Sequence, residues 1–131
     1  MSQENVEIVS EVFEPFARGD FGWFAELADD FEFVTSPELP DAGTYRGAAA
    51  ARWMLEWVDS FDGHTIEVTE TIDAGDKAFV ATIQRGHPHG SKTEVERSWW
   101  LAMTLRDGII VRAEIFSGRD QALEAAGLAG A

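Results

Sequence analysis

The 131 residues contain no cysteine, which excludes disulfides, thiolate nucleophiles and zinc–thiolate sites. Basic residues are scarce. Ten Lys and Arg stand against 24 Asp and Glu, a formal charge of −14. So acidic a surface repels phosphate backbones and anionic lipid, and neither nucleic acid nor a membrane is an expected partner. No apolar run is long enough to span a bilayer. The opening Met1-Ser2-Gln3-Glu4-Asn5 lacks the basic and apolar regions of a signal peptide, so a cytoplasmic location is expected. A Gly-rich phosphate loop, a Ser-His-Asp set and a metal-binding helix motif are all missing. Of the three histidines, His87 and His89 stand two apart around Pro88, a spacing that can grip a metal. With no third histidine near and Glu94 already on the next strand, an exposed loop is the plainer reading. No metal or other cofactor is expected. His64, after Gly63 at a strand start, is expected at the surface.

What the chain has in quantity is apolar residues, 45% of the total, including nine Phe, five Trp and one Tyr. That content excludes disorder, and the length suits a single domain over residues 1–131. The organising stretch runs from Glu94 to Ser117, where two apolar, β-branched and aromatic runs flank Asp107-Gly108. An Asp-Gly pair in that setting predicts a hairpin with a type I′ turn. A two-residue loop sets Met103 opposite Arg112, Leu101 opposite Glu114 and Trp99 opposite Phe116. One face then carries Arg97, Trp99, Leu101, Met103, Leu105, Ile110, Arg112, Glu114 and Phe116; the other carries Ser98, Trp100, Ala102, Thr104, Ile109, Val111, Ala113 and Ile115.

Upstream, Val6, Val9, Val12, Phe13 and Phe16 have helical spacing behind a Ser2 cap, with Pro15 working against the last turn. Asp20 can cap a short second helix through Ala28, and residues 31–35 form a first strand. Pro37, Pro40 and Gly43 mark a loop. Ala50, Trp53, Met54, Trp57, Val58 and Phe61 predict a helix from Gly47 to Phe61. Strands follow over 64–72 and 77–84, with Ile66, Val68, Glu70 and Ile72 on one side of the first. A mobile loop over 86–91 leads to the hairpin, and a short helix closes the chain over 118–126. Three helices against one side of a curved, mostly antiparallel sheet make an α+β fold, a cone-shaped α+β barrel with an apolar pocket between its layers.

Several segments resemble SnoaL-like proteins of the nuclear transport factor 2-like superfamily, which also holds the ketosteroid isomerases. They are Phe16-Ala17-Arg18-Gly19-Asp20, Leu27-Ala28-Asp29-Asp30-Phe31-Glu32-Phe33, Gly43-Thr44-Tyr45-Arg46-Gly47, Ile72-Asp73-Ala74-Gly75-Asp76, Leu105 to Arg112, and the close from Asp120 to Leu128. The resemblance covers almost the whole chain and implies the cone fold. It does not select a function, since this fold hosts isomerases, cyclases, hydrolases and binders. The ketosteroid isomerase residues it implies are a carboxylate base and an oxyanion hole of tyrosine and protonated aspartate. They fall here on Thr35 or Ser36, near Val12, and within Trp99-Trp100-Leu101, and none is present. Where many relatives carry an aspartate after the last strand, this chain has Gly118.

The expected catalytic set is therefore Glu114 with Arg112 and Arg97. An apolar wall would raise the Glu114 pKa toward acid–base use, whereas a close arginine would hold it charged and make the pair structural. Limonene epoxide hydrolase, of similar fold, uses an arginine between two acids; Glu70 is the candidate second acid, with a solvated edge position as its alternative. Phe33, Tyr45, Trp53, Trp57, Trp99, Leu101, Met103 and Phe116 are expected to line the pocket. Two functions follow from this set: cofactor-free acid–base catalysis on an apolar cyclic or polyketide-like compound, or non-catalytic binding of a small apolar molecule. The second hairpin face, with Trp100 near its centre, is expected to close on a second copy as a homodimer.

Overall fold

A computed structural model describes residues 2–38 and 42–128, leaving out the side chains at positions 2 and 3. The expected Ser2 cap, and Leu39, Pro40 and Asp41 of the expected loop, lie outside what is described. Helix α1 (Ser2–Phe13) stops short of Pro15, which opens a 3-10 turn, Pro15–Arg18, closed by Gly19 at φ 81°. The second expected helix is also a 3-10 turn, Gly22–Glu26. Asp20 accepts the Gly22 N–H at 3.0 Å. Strands β1 (Glu32–Val34) and β2 (Thr44–Arg46) precede α2 (Gly47–Asp59); β3 (Phe61–Asp73), β4 (Lys77–Pro88), β5 (Val95–Arg106) and β6 (Ile109–Phe116) follow, then α3 (Arg119–Ala125).

The strands form one open sheet in the order β2-β1-β6-β5-β4-β3. β1 runs parallel to β6 and every other pair is antiparallel. The helix α1, both 3-10 turns and α2 close over one face. Val9, Phe13, Phe16, Phe24, Phe31 and Met54 pack there on Phe33, Ile66, Val80, Trp99, Leu101 and Met103. The result is the expected α+β layer pair, with its core between helices and sheet.

The Asp107-Gly108 turn forms as expected, with both residues at positive φ, 53° and 77°. The register holds for Arg106 with Ile109 and Leu105 with Ile110, then shifts by one residue. Thr104 pairs with Arg112, Met103 with Ala113, Leu101 with Ile115 and Trp100 with Phe116. Val111 is the extra residue of a β-bulge, which bends a strand and sharpens its twist. The consequence is a correction to the expected faces. Ala113 and Ile115 turn into the core, while Arg112, Glu114 and Phe116 turn to the outer face with Ala102 and Trp100.

A second bulge, at Thr69, does the same to β3. Val68 pairs with Thr82 and faces the core, but Glu70 pairs with Ala81 and faces out with Ile72. Strand β4 runs on through Pro88, across the segment expected as a loop, pairing Gly86 with Val95 and Asp62 with His87. Gly86 permits this close approach, since a Cβ there would sit 2.9 Å from the Phe61 Cβ. The terminal helix α3 does not join the other helices. It lies on the outer face, where Ala122 and Ala126 pack against Phe79, Ala81 and Ala102, flanked by Trp100 and Phe116. No helix among the described residues is long and apolar enough to cross a membrane.

Candidate functional site

Helical spacing puts Trp53 and Trp57 on one side of α2, above the sheet. Their rings stack at 5.8 Å and 11°. Trp53 also meets Phe33 at 5.2 Å and Tyr45 at 6.1 Å. Trp57 meets Trp99 edge to face at 6.4 Å and Phe61 at 5.8 Å. An aromatic row therefore runs from β2 along α2 to the ends of β4 and β5.

At that end lies a cavity of about 240 Å³ whose walls include Trp57, Phe61, His64, Gln84, Arg97 and Trp99. Deeper in the cone, Phe33, Leu101 and Met103 border a residual void of only about 30 Å³. Those three side chains act as filled core, and the room for a ligand is at the mouth. A wider trough of about 1280 Å³ runs between α2 and the 3-10 turns and shares Phe61 and His64 with the mouth. It is open to solvent, lies along the flank of α2 and touches the aromatic row only at Phe61.

One polar unit is built into the mouth. The Gln84 side-chain oxygen lies 3.1 Å from Trp57 Nε1 and 3.0 Å from His64 Nε2. An indole nitrogen only donates, so this atom of Gln84 must be its oxygen. His64 Nε2 faces the same oxygen and must therefore carry a proton too. That leaves His64 Nδ1 with a bare lone pair, buried and without a hydrogen-bond partner in the structure. His64 is 6% exposed, edge-on to Phe21 and Phe61, contrary to the surface position expected of it. Burial lowers its pKa, and the Gln84 contact offsets this only in part.

Arg97 pairs with Gln84 across β4 and β5, on the same face. Its guanidinium lies 4.5 Å from the centre of the Trp99 ring. Among the described residues no acid lies within ion-pair distance of Arg97. Two charged neighbours that also line the cavity are engaged with each other: Arg85 pairs with Glu96 at 2.7 Å, and with Glu67 at 3.3 Å.

The structure separates the other expected site residues from this mouth. Glu32 takes Arg46 at 2.5 Å and Arg112 at 2.6 Å, and Arg112 reaches Glu114 at 3.6 Å. This charged row crosses the outer face of β2, β1 and β6, on the opposite side of the sheet from Trp57 and Trp99. Glu70 also lies outside, bonded to Arg119 at 2.6 Å, a contact that lowers its pKa. His89 bonds to Asp62 at 2.8 Å and to the Asp59 carbonyl at 2.5 Å, which raises its pKa. Among the described residues no group of three His, Asp or Glu could hold a metal ion.

Gln84 was not singled out by the sequence, and His64 was read as a surface residue. Gln84 ends the run Ala78-Phe79-Val80-Ala81-Thr82-Ile83 on the inward phase of Val80 and Thr82. A polar side chain at the core-facing phase of an apolar strand was the available signal.

No protein-family model matches the chain, and no curated protein does. Solved structures match it over nearly its full length. An NTF2-like protein from Burkholderia xenovorans LB400 is 29% identical, with 96% of this chain and 97% of that one covered and a TM-score of 0.65. A candidate SnoaL-like polyketide cyclase from Jannaschia sp. CCS1 is 18% identical, over 99% and 95%, with a TM-score of 0.67. TerC, co-crystallised with polyporic acid, is 20% identical, over 95% and 98%, with a TM-score of 0.71.

Proposed function

This chain has the nuclear transport factor 2-like fold that SnoaL-like and ketosteroid isomerase-like proteins share, and from that premise we propose that it binds a small, mostly apolar molecule at the mouth of its cone without transforming it. The observation that carries this reading is the division between the two faces of the sheet. The cavity has aromatic walls, one oriented polar unit, Gln84 with Trp57 and His64, the Arg97 guanidinium, and a carboxylate, Glu96, that is held by Arg85. The carboxylates expected to do acid–base work, Glu114 and Glu70, are paired with Arg112 and Arg119 outside it. Aromatic walls with a few fixed polar groups suit recognition of a small molecule. That TerC crystallises with polyporic acid is in keeping with a small-molecule role for a cone of this shape.

The test is calorimetric titration with a panel of one- and two-ring aromatic compounds, charged and neutral. Val95 lines the mouth, and Val95→Trp should plug it and abolish binding while the melting curve stays near that of the wild type. Absence of saturable binding, or binding indifferent to the plug, overturns the proposal.

A second reading has one observation in its favour: Arg112 stands between two carboxylates, Glu32 and Glu114. On that reading the outer row performs acid–base chemistry, as addition of water to a cyclic epoxide. Turnover of cyclohexene oxide that is lost in Glu114→Gln is its signature, and no turnover, or full turnover in the variant, removes it.

We also propose a homodimer through the outer face beside Trp100, where half-buried Trp100 and Phe116 border the charged row. Sedimentation at micromolar concentration should give a dimer, and a monomer overturns the contact.

A further inference from the structure

We infer that the ligand of the cone mouth is a small planar aromatic carboxylate, its carboxylate held by Arg97 and the Gln84 amide nitrogen and its ring set among Trp57, Phe61 and Trp99. This rests on the binding reading given above and specifies its chemistry.

Charge comes first. On a chain of net charge −14, two cations line this mouth, Arg85 and Arg97; Arg85 is taken up by Glu96 and Glu67, whereas Arg97 has no acid in ion-pair reach among the described residues. Its cross-strand partner is the neutral Gln84. Glu96, the acid beside it in sequence, also lines the mouth, but its carboxylate is held by Arg85 at 2.7 Å. The mouth is thus locally set for an anion despite the protein's overall charge.

Geometry then selects the kind of anion. Stacking on Trp99 at 4.5 Å orders the guanidinium while its N–H edges stay available, the arrangement that receives a carboxylate bidentately. Gln84 adds a donor whose direction is fixed. Trp57 and His64 both donate to its oxygen, so its nitrogen must point the other way, and that nitrogen has no hydrogen-bond partner among the described residues. Two donor groups on one face of adjacent strands suit an acceptor with two oxygens.

Shape supplies the rest. The cavity of about 240 Å³ equals roughly eight water molecules at about 30 Å³ each, enough for one or two fused rings. Trp57 and Trp99 meet at 84°, and with Trp99 only 1% exposed the half-buried Trp57 is the ring left open to a flat molecule. The edge and face of aromatic groups are complementary in charge, which favours a planar aromatic body over a bulky aliphatic one.

The experiment titrates the wild type and Arg97→Met with 2-naphthoate and with 2-naphthalenemethanol, which keeps the rings and removes the charge. Methionine retains an apolar chain over Trp99 and removes the donors. The wild type should bind the carboxylate at least tenfold more tightly than the alcohol, with the difference shrinking as salt rises. In Arg97→Met the two affinities should become equal, and Arg97→Lys should keep part of the preference. Equal affinities in the wild type, or a preference that survives Arg97→Met, overturns the carboxylate and leaves the binding reading standing. Failure of both probes to bind overturns both.

Discussion

Met103 lies opposite Ala113, one residue away from the Arg112 that an unbroken hairpin would place there. That single step decides which carboxylates can meet a ligand. Beyond the bulge at Val111, each β6 side chain exchanges faces, so Ala113 and Ile115 enter the core and Arg112 and Glu114 leave it.

The bulged register makes neighbouring positions differ sharply. Ala113 is 3% exposed among core residues, so Ala113→Glu should cost at least about 3 kcal/mol by burying an unpaired charge. Glu114 lies on the outer face, and Glu114→Ala should cost about 1 kcal/mol or less. Urea unfolding reads both, and the reverse ranking would restore the unbroken register.

Most of the fold was legible because its signals are local. The Asp107-Gly108 turn and the helical phase of Ala50, Met54 and Val58 each act within a few residues, whereas the first helix, expected to run past Phe16, ends at Phe13 ahead of Pro15. Helix α2 starts at Gly47 as expected and ends at Asp59, two residues early, because Phe61 is drawn into β3 opposite Pro88. The site was less legible because it depends on parity. Alternation predicts faces only while the ladder is unbroken, and neither Val111 nor Thr69 differs in type from an ordinary strand residue. Trp53, Trp57 and Trp99 each lie on an uninterrupted stretch, and their rings meet in one row. Gln84 and His64 meet across the β3–β4 ladder, a contact no periodicity reports. Ala113 and Ile115 lie in the core and α3 covers part of the outer face, so the apolar patch around Trp100 is smaller than unbroken alternation implies.

Gly47 joins β2 to α2 at φ 47°, and a Cβ there would sit 2.7 Å from the Asp29 carbonyl oxygen. Its N–H donates to the Phe31 carbonyl at 2.8 Å, so the backbone cannot shift freely. Gly47→Ala should destabilise by about 1–3 kcal/mol through strain. An unchanged melting temperature would show that this junction relaxes at little cost.

The histidines should titrate apart. Folding lowers the His64 pKa by burial and raises that of His89 through Asp62 and the Asp59 carbonyl. For His64 the folded state binds fewer protons than the unfolded chain. Its share of stability is therefore full above the ordinary value of about 6.5 and is lost as pH falls toward the lower folded value. His89 has the opposite sign: its share is present below about 6.5 and is lost as pH rises through the folded value. Nitrogen-detected NMR should show neutral His64 protonated at Nε2 and charging at lower pH than His89. The Nδ1–H form of His64, or the reverse order of charging, contradicts the hydrogen-bond assignment at Gln84.

Gln84 should prove the keystone of the mouth. Its oxygen accepts from Trp57 and His64 at once, so Gln84→Leu leaves one buried and one part-buried N–H group without an acceptor. Each unpaired donor costs about 1–3 kcal/mol, and leucine recovers part of that by apolar burial. A net loss of about 2 kcal/mol is expected. The stronger measurement is a double-mutant cycle with Trp57→Phe, which removes the indole donor and keeps an aromatic ring. In the wild type that change abandons a hydrogen bond; in Gln84→Leu it removes a donor already stranded. The second substitution should therefore cost less than the first, with a coupling energy of about 1 kcal/mol between the two sites. Additive costs would mean that Trp57 and Gln84 do not share the bond, and the fixed direction of the Gln84 nitrogen toward a ligand would fall with it.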